Sequence, residues 1–358
     1  MKSITKLLLV TAVTIMSGVA LAQTPAPAPA QAGARAGGAA AGAPRAPRAE
    51  WAPGYLEPGT PQPAYMPPST PLGSGPYKAL MATEQGAEEF VAYYPANMAA
   101  VGKKLPVLMW INGSCTYRGN KFRHFLTDIA SYGYFALAGG PMGPADEGRS
   151  ETIGIGSNNP LRDPLAPRTP PSAAPADPNN KTVTVALMSQ GIDWVIAENK
   201  RVGSKFYGKL DTTKIAVMGQ SCGGQIASNF GSDPRVTTVG MWSAATGGVP
   251  IPEFRNRFKA NHPTLIIAGD AKYDVCFFDA LFAYDTLKRT PSPVVFAWRI
   301  NMTHLGTYRQ TDGGELSPVA RAWLDLQLKG DKNAAKMFRG VNSELGAKVG
   351  WHVENSNF

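Results

Sequence analysis

The chain has 358 residues, with 35 Lys and Arg against 26 Asp and Glu, 3 Cys and a formal net charge of +9. The basic excess is spread along the chain without a Lys/Arg run, which argues against a nucleic-acid surface. The cysteines are far apart with no histidine at ligand spacing, unlike a zinc framework, and no apolar run beyond the N-terminus is long enough to span a bilayer.

Lys2 and Lys6 precede an apolar run over residues 7–21, and Ala20-Leu21-Ala22 forms an A-x-A cleavage signal. This pattern predicts a secretory signal peptide over 1–22 and a periplasmic or secreted product. Residues 23–75 are mostly Ala, Pro and Gly, too poor in core-forming residues to offset the entropy of ordering, and read as an Ala/Pro/Gly-rich disordered tether. One catalytic domain is expected over 76–358.

Within that domain, strands and helices alternate. Residues 88–94 read as an early strand stopped by Pro95. The continuous apolar run 106–111 predicts a strand buried on both faces. Phe122, Phe125, Leu126, Ile129 and Ala130 recur at helical spacing, and 134–138 is the next buried strand. The stretch 141–180 is Pro-rich, aperiodic and long, the kind of loop that borders a functional site or simply runs over the surface. Val183, Leu187, Trp194 and Val195 then mark a helix. Strands follow at 214–218, 236–242, 264–268 and 294–298, with a helix over 277–287 and an apolar stripe from Leu316 through Val319, Ala320, Trp323 and Leu324. Such alternation predicts an α/β fold with a mostly parallel central sheet and helices on both faces.

The strand at 214–218 runs into Gly219-Gln220-Ser221-Cys222-Gly223, followed by a plausible helix start. Strand, G-x-S-x-G turn and helix together make a nucleophile elbow, in which the glycines admit a tight backbone approach and the serine hydroxyl is left exposed. A serine hydroxyl needs a base. Of four histidines, His124 lies in the first helix, His262 precedes a strand at the wrong end of the sheet, and His352 is in the tail. His304, in the Gly-containing loop after 294–298, is the candidate. The acid should lie between Ser221 and His304 at the end of a strand. Asp274 is placed to reach back to the histidine, while Asp270, directly after its strand, suits a turn cap. Oxyanion donors are expected from the backbone N–H of Cys222 and of Ser114, in the turn after 106–111. A disulfide between Cys115 and Cys222 would fix the width of that oxyanion site; two buried thiols, or Cys276 as the partner, are the alternatives. Trp242, Met302 and Thr303 are candidate pocket residues, with packing in the core the alternative for Trp242.

The segments Asn112-Gly113-Ser114-Cys115, Ile129-Ala130-Ser131-Tyr132-Gly133, Gly219-Gln220-Ser221-Cys222-Gly223-Gly224, Tyr273-Asp274-Val275 and His304-Leu305-Gly306-Thr307-Tyr308 resemble one branch of the α/β-hydrolases. That branch holds exported proteins related to dienelactone hydrolases and to polyester-hydrolase and cutinase-like esterases, and the likeness runs over about residues 105–340. It implies the α/β-hydrolase fold, with Ser221 as nucleophile, Asp274 as acid, His304 as base and Ser114 and Cys222 as oxyanion donors. A loop before Asp274 that is one residue longer than usual keeps Asp270 as an alternative acid. The expected activity is hydrolysis of small-molecule or polymeric carboxylic esters without metal or cofactor. A non-catalytic polysaccharide- or polymer-binding protein and an acyltransferase are the competing expectations.

Overall fold

The computed structural model describes residues 72–143, 181–260, 262–340 and 342–358. The expected signal peptide, nearly all of the tether and residues 144–180 of the long loop lie outside these. Among the described residues nine strands are formed: β1 (Ala79–Ala82), β2 (Phe90–Pro95), β3 (Leu105–Ile111), β4 (Phe135–Gly139), β5 (Leu210–Gln220), β6 (Thr238–Trp242), β7 (Thr264–Ala268), β8 (Val294–Arg299) and β9 (Trp351–Ser356). They make one sheet in the order β1-β2-β4-β3-β5-β6-β7-β8-β9. The six central strands from β4 to β8 pair in parallel, and antiparallel pairs close the two edges.

The helices are α1 (Arg123–Ser131), α2 (Val185–Lys200), α3 (Cys222–Ser228), α4 (Ile251–Asn256), α5 (Phe277–Leu287) and α6 (Leu316–Leu324). Period-2 alternation sends successive strand side chains to opposite faces. Val107, Met109, Val217 and Ile266 pack in one core with Met188 and Ile192 of α2, Ala227 of α3, Phe254 of α4 and Ala280 of α5. Leu108, Trp110, Met218 and Ile267 pack in a second core with Phe125 and Ile129 of α1 and with Val319 and Trp323 of α6. The chain is therefore an α/β protein with a mostly parallel sheet covered on both faces, and the uninterrupted apolar runs of its strands follow from that double burial.

Three elements differ from the sequence expectation. β1, β9 and α4 were not anticipated, because each is short and lacks a long apolar run. β9, read as tail, becomes a strand by pairing along the whole of β8, and His352 within it stacks on Trp298 at 4.9 Å between ring centroids. Pro95 is the last residue of β2 and lies opposite Ala79 of the edge strand β1. β5 starts at Leu210, earlier than its apolar core, beside an irregularity at Pro106/Val107 of β3.

His124 on α1 carries an acid-lability that the fold imposes. Burial, with a smaller effect from Arg123, pushes its pKa down to about 4, and its Nε2 is buried without a hydrogen-bond partner. The unfolded chain, with an ordinary histidine near 6.5, binds the proton first, so stability is complete above that pH and falls as the pH drops toward 4. The expected loss is up to about 3 kcal/mol. Melting temperatures from pH 7 to 4 measure it, and His124→Gln should flatten the slope; an unchanged slope would assign the lability elsewhere.

Candidate active site

Parallel strands bring their C-terminal ends to one edge, where open α/β sheets place ligand crevices. The chain leaves β5 at Gln220, and Ser221 caps α3 with φ 56° and ψ −122°. A non-glycine residue in that region costs about 1–3 kcal/mol and persists only where its surroundings impose it. Here the Ser221 N–H donates to the Trp242 carbonyl at 2.8 Å, and the Ser221 carbonyl accepts from Gly224 N–H at 2.9 Å. The flanking glycines are required by close approach. A Cβ at Gly219 would lie 2.4 Å from the Gly223 carbonyl carbon, and one at Gly223 would lie 2.1 Å from the Ile111 carbonyl oxygen.

His304 follows β8 and is buried. Its Nε2 is 2.9 Å from Ser221 Oγ and its Nδ1 is 2.8 Å from Asp274 Oδ1. Asp274 is almost wholly enclosed. Burial alone would raise its pKa, but His304 and the N–H groups of Gly269 and Cys276 outweigh it and hold the carboxyl below its ordinary range. It is therefore an ionised carboxylate throughout the neutral range. Asp270 does something else: Oδ1 accepts from Lys272 N–H at 2.8 Å and Oδ2 from Asn301 N–H at 2.6 Å. It caps the turn after β7 and ties it to the loop after β8.

The turn after β3 supplies the other wall. Asn112 is fully buried, and its side-chain amide donates to the carbonyls of Arg118 at 2.8 Å and of Thr116 and Gly139 at 3.1 Å. Gly113–Cys115 forms a single 3-10 turn, with Ser114 and Cys115 at φ 56° and 49°. Cys115 is joined by a disulfide to Cys222, the first residue of α3, with Cα atoms 5.3 Å apart. Of the three pairings open from sequence, the structure forms this one and leaves Cys276 outside it. The Cys222 N–H, at the first position of a helix, has no intrahelical acceptor.

A small cleft lies over Ser221 and His304 and is lined also by Gly113, Ser114, Gln220, Phe122, Leu305, Tyr308, Lys121 and Arg309. Trp242, Met302 and Thr303, expected as pocket residues, are not among its walls. Trp242 is fully buried beside Trp110, Phe125 and Tyr308. Met302 packs in the same core, and Thr303 turns its hydroxyl back to the Leu305 N–H. A residue at a strand end or beside the base need not face the cleft, because the pleat and the local turn decide its direction.

Sequence reasoning did not anticipate Gln220. Its Nε2 donates to the His304 carbonyl at 2.9 Å, and a Cβ at Gly113 would fall 2.0 Å from its Oε1. One buried amide thus touches both the loop carrying His304 and the turn carrying Ser114. As the variable residue of G-x-S it leaves no pattern to find it by. The described residues flanking the long loop also attach here: Val183 N–H donates to the Cys115 carbonyl at 2.9 Å, and Gly143 and Asn120 exchange two hydrogen bonds.

No protein-family model and no curated protein matches this chain. What the site can do must be read from its own chemistry: a hydroxyl on a strained elbow, an imidazole bridging it to an ionised carboxylate, and a helix N-terminus beside the hydroxyl.

Proposed function

We propose that the protein is an exported serine hydrolase of the α/β-hydrolase fold that cleaves carboxylic esters through an acyl-enzyme. The observation that carries this reading is the chain of contacts from Ser221 Oγ to His304 Nε2 and from His304 Nδ1 to Asp274. A binding surface has no use for a strained serine aligned on an imidazole. Ser221 attacks the ester carbonyl as His304 takes its proton, and Asp274 stabilises the imidazolium. The N–H groups of Ser114 and Cys222 take the oxyanion, with the disulfide setting the distance between their loops. His304 then protonates the leaving alcohol and later activates the water that releases the acid.

Hydrolysis of p-nitrophenyl acetate, butyrate and octanoate by the purified protein and by Ser221→Ala tests this directly. Turnover by the wild type, lost by about a thousandfold or more in the variant, is the expected result. Equal inertness of both proteins would point instead to a binding protein, and ester exchange with added alcohol in preference to hydrolysis would point to an acyltransferase.

Gly113→Ala should push the Gln220 amide off the His304 carbonyl. The expected effect is a fall in kcat of about tenfold with KM nearly unchanged, as expected when an interaction serves only the transition state. In a Gln220→Ala background the same substitution should cost much less, because the clashing oxygen is gone. Equal costs in the two backgrounds would show that the two residues act independently.

A further inference from the structure

Cys276 is buried, stands outside the disulfide, and follows Asp274 by two residues. No step of the hydrolysis above uses a thiol there. Yet its sulfur, an oxygen of Asp274 and a nitrogen of His304 all lie within 4.8 Å of one another. The sequence offers no hint of this grouping, since Cys276 and His304 are joined only by the packing of the turn after β7 against the loop after β8.

We propose that Asp274, Cys276 and His304 form a binding site for a soft divalent cation of the zinc type, whose occupation switches the hydrolase off. Thiolate, imidazole and carboxylate are the donors that four-coordinate zinc takes, with water in the fourth position. Their spacing is close to what the ion needs. Three atoms no more than 4.8 Å apart always leave a point within about 2.8 Å of each. Ordinary zinc bonds are about 2.3 Å to sulfur and about 2.0–2.2 Å to nitrogen and oxygen, so a contraction of at most roughly 0.5–0.8 Å closes the site.

The charges balance as well. The thiol releases its proton to solvent, the proton on His304 Nδ1 moves to Nε2 so that the ring stays neutral, and thiolate and carboxylate together neutralise the ion. The Gly269 N–H already holds the outer carboxylate oxygen at 2.7 Å, the kind of support that fixes a metal-ligating carboxylate. Val275, between two of the ligands in sequence, is 61% exposed, while Asp274, Cys276 and His304 are buried. A bound ion takes the nitrogen whose hydrogen bond to Asp274 orients His304, and the base is then unable to become an imidazolium. The binding stands on the geometry alone; the inhibition rests on the hydrolase reading.

The test titrates the purified protein, disulfide intact, with Co(II) and follows the thiolate charge-transfer absorption in the near ultraviolet. The band should form in the wild type and in Ser221→Ala and be absent from Cys276→Ala and Cys276→Ser, whose melting temperatures report that they are folded. Zn(II) should inhibit wild-type ester hydrolysis, with recovery on adding a chelator. Each cysteine variant should need at least tenfold more Zn(II) to lose half of its own metal-free rate. A band of equal strength in the cysteine variants, no band in any protein, or equal Zn(II) sensitivity overturns the proposal. A Cys276-dependent band in a protein that hydrolyses no ester keeps the metal site and removes the hydrolase.

Discussion

Asp274→Asn is expected to lower kcat for p-nitrophenyl acetate by about 10³–10⁴-fold, while Asp270→Asn lowers it by no more than about tenfold. The two aspartates belong to one turn, but their hydrogen bonds differ in kind. Asp274 Oδ1 takes the His304 ring nitrogen and the Cys276 N–H, and Oδ2 takes the Gly269 N–H. Every face of the carboxylate meets a donor. An asparagine NH2 must therefore point at a donor whichever way it turns. With its nitrogen toward Gly269, it keeps the histidine tautomer but loses the negative charge that stabilises the imidazolium. With the nitrogen toward His304, it reverses the tautomer as well. Either outcome removes stabilisation that exists mainly in the transition state, so kcat falls far more than KM rises. Asp270 receives only backbone N–H groups, and its asparagine keeps one of the two bonds, a change that belongs in the melting temperature. Steady-state kinetics and thermal melts of both variants decide the matter; comparable losses of kcat would transfer the acid's role or divide it.

Opening the Cys115–Cys222 disulfide is expected to reduce kcat by about 10–10²-fold while the sheet remains folded. The bridge joins the residue after Ser114 to the residue after Ser221, so one proposed oxyanion donor, Ser114, sits next to a half-cystine and the other, Cys222, is one. Ser114 and Cys115 are also held at positive φ, at about 1–3 kcal/mol each. Once the covalent tie is gone, that strain is free to relax by letting the turn after β3 move off the elbow. Loss of a single oxyanion donor costs about 10²–10³-fold in a serine hydrolase, and partial displacement should cost less. The bridge closes a loop of 107 residues, for which the chain-entropy estimate is about 4.7 kcal/mol of stability. A fall in melting temperature of roughly 10–20 °C should accompany the loss, with far-ultraviolet dichroism unchanged below the transition. Activity before and after reduction, with peptide mass spectrometry proving the bridge open, and the Cys115→Ser, Cys222→Ser double variant supply the measurement. Full kcat with an open bridge would show that hydrogen bonds such as those of Asn112 and Gln220 hold the oxyanion turn by themselves.

The amino-acid sequence was enough for the alternation of buried strands and helices, and therefore for the α/β class. Side-chain period and apolar run length are local properties, and a strand covered on both faces must be apolar throughout, as in residues 106–111 and 264–268. It also marked the elbow, because Gly219 and Gly223 are demanded by contacts within a few residues and at the end of one neighbouring strand. Ser221 and His304 could be singled out by turn chemistry and by elimination among four histidines. Tertiary structure alone decided the rest, wherever the answer depended on residues far apart in the chain meeting in space. It put Asp274, which its place in the loop already favoured, against the histidine and gave Asp270 to the turn. It paired Cys115 with Cys222 across 107 residues and set Cys276 beside His304. It turned Trp242 into the core and gave the cleft wall to Phe122, Leu305 and Tyr308. It made strands of Ala79–Ala82 and Trp351–Ser356, whose short and partly polar sequences become β only when a neighbouring strand accepts their hydrogen bonds.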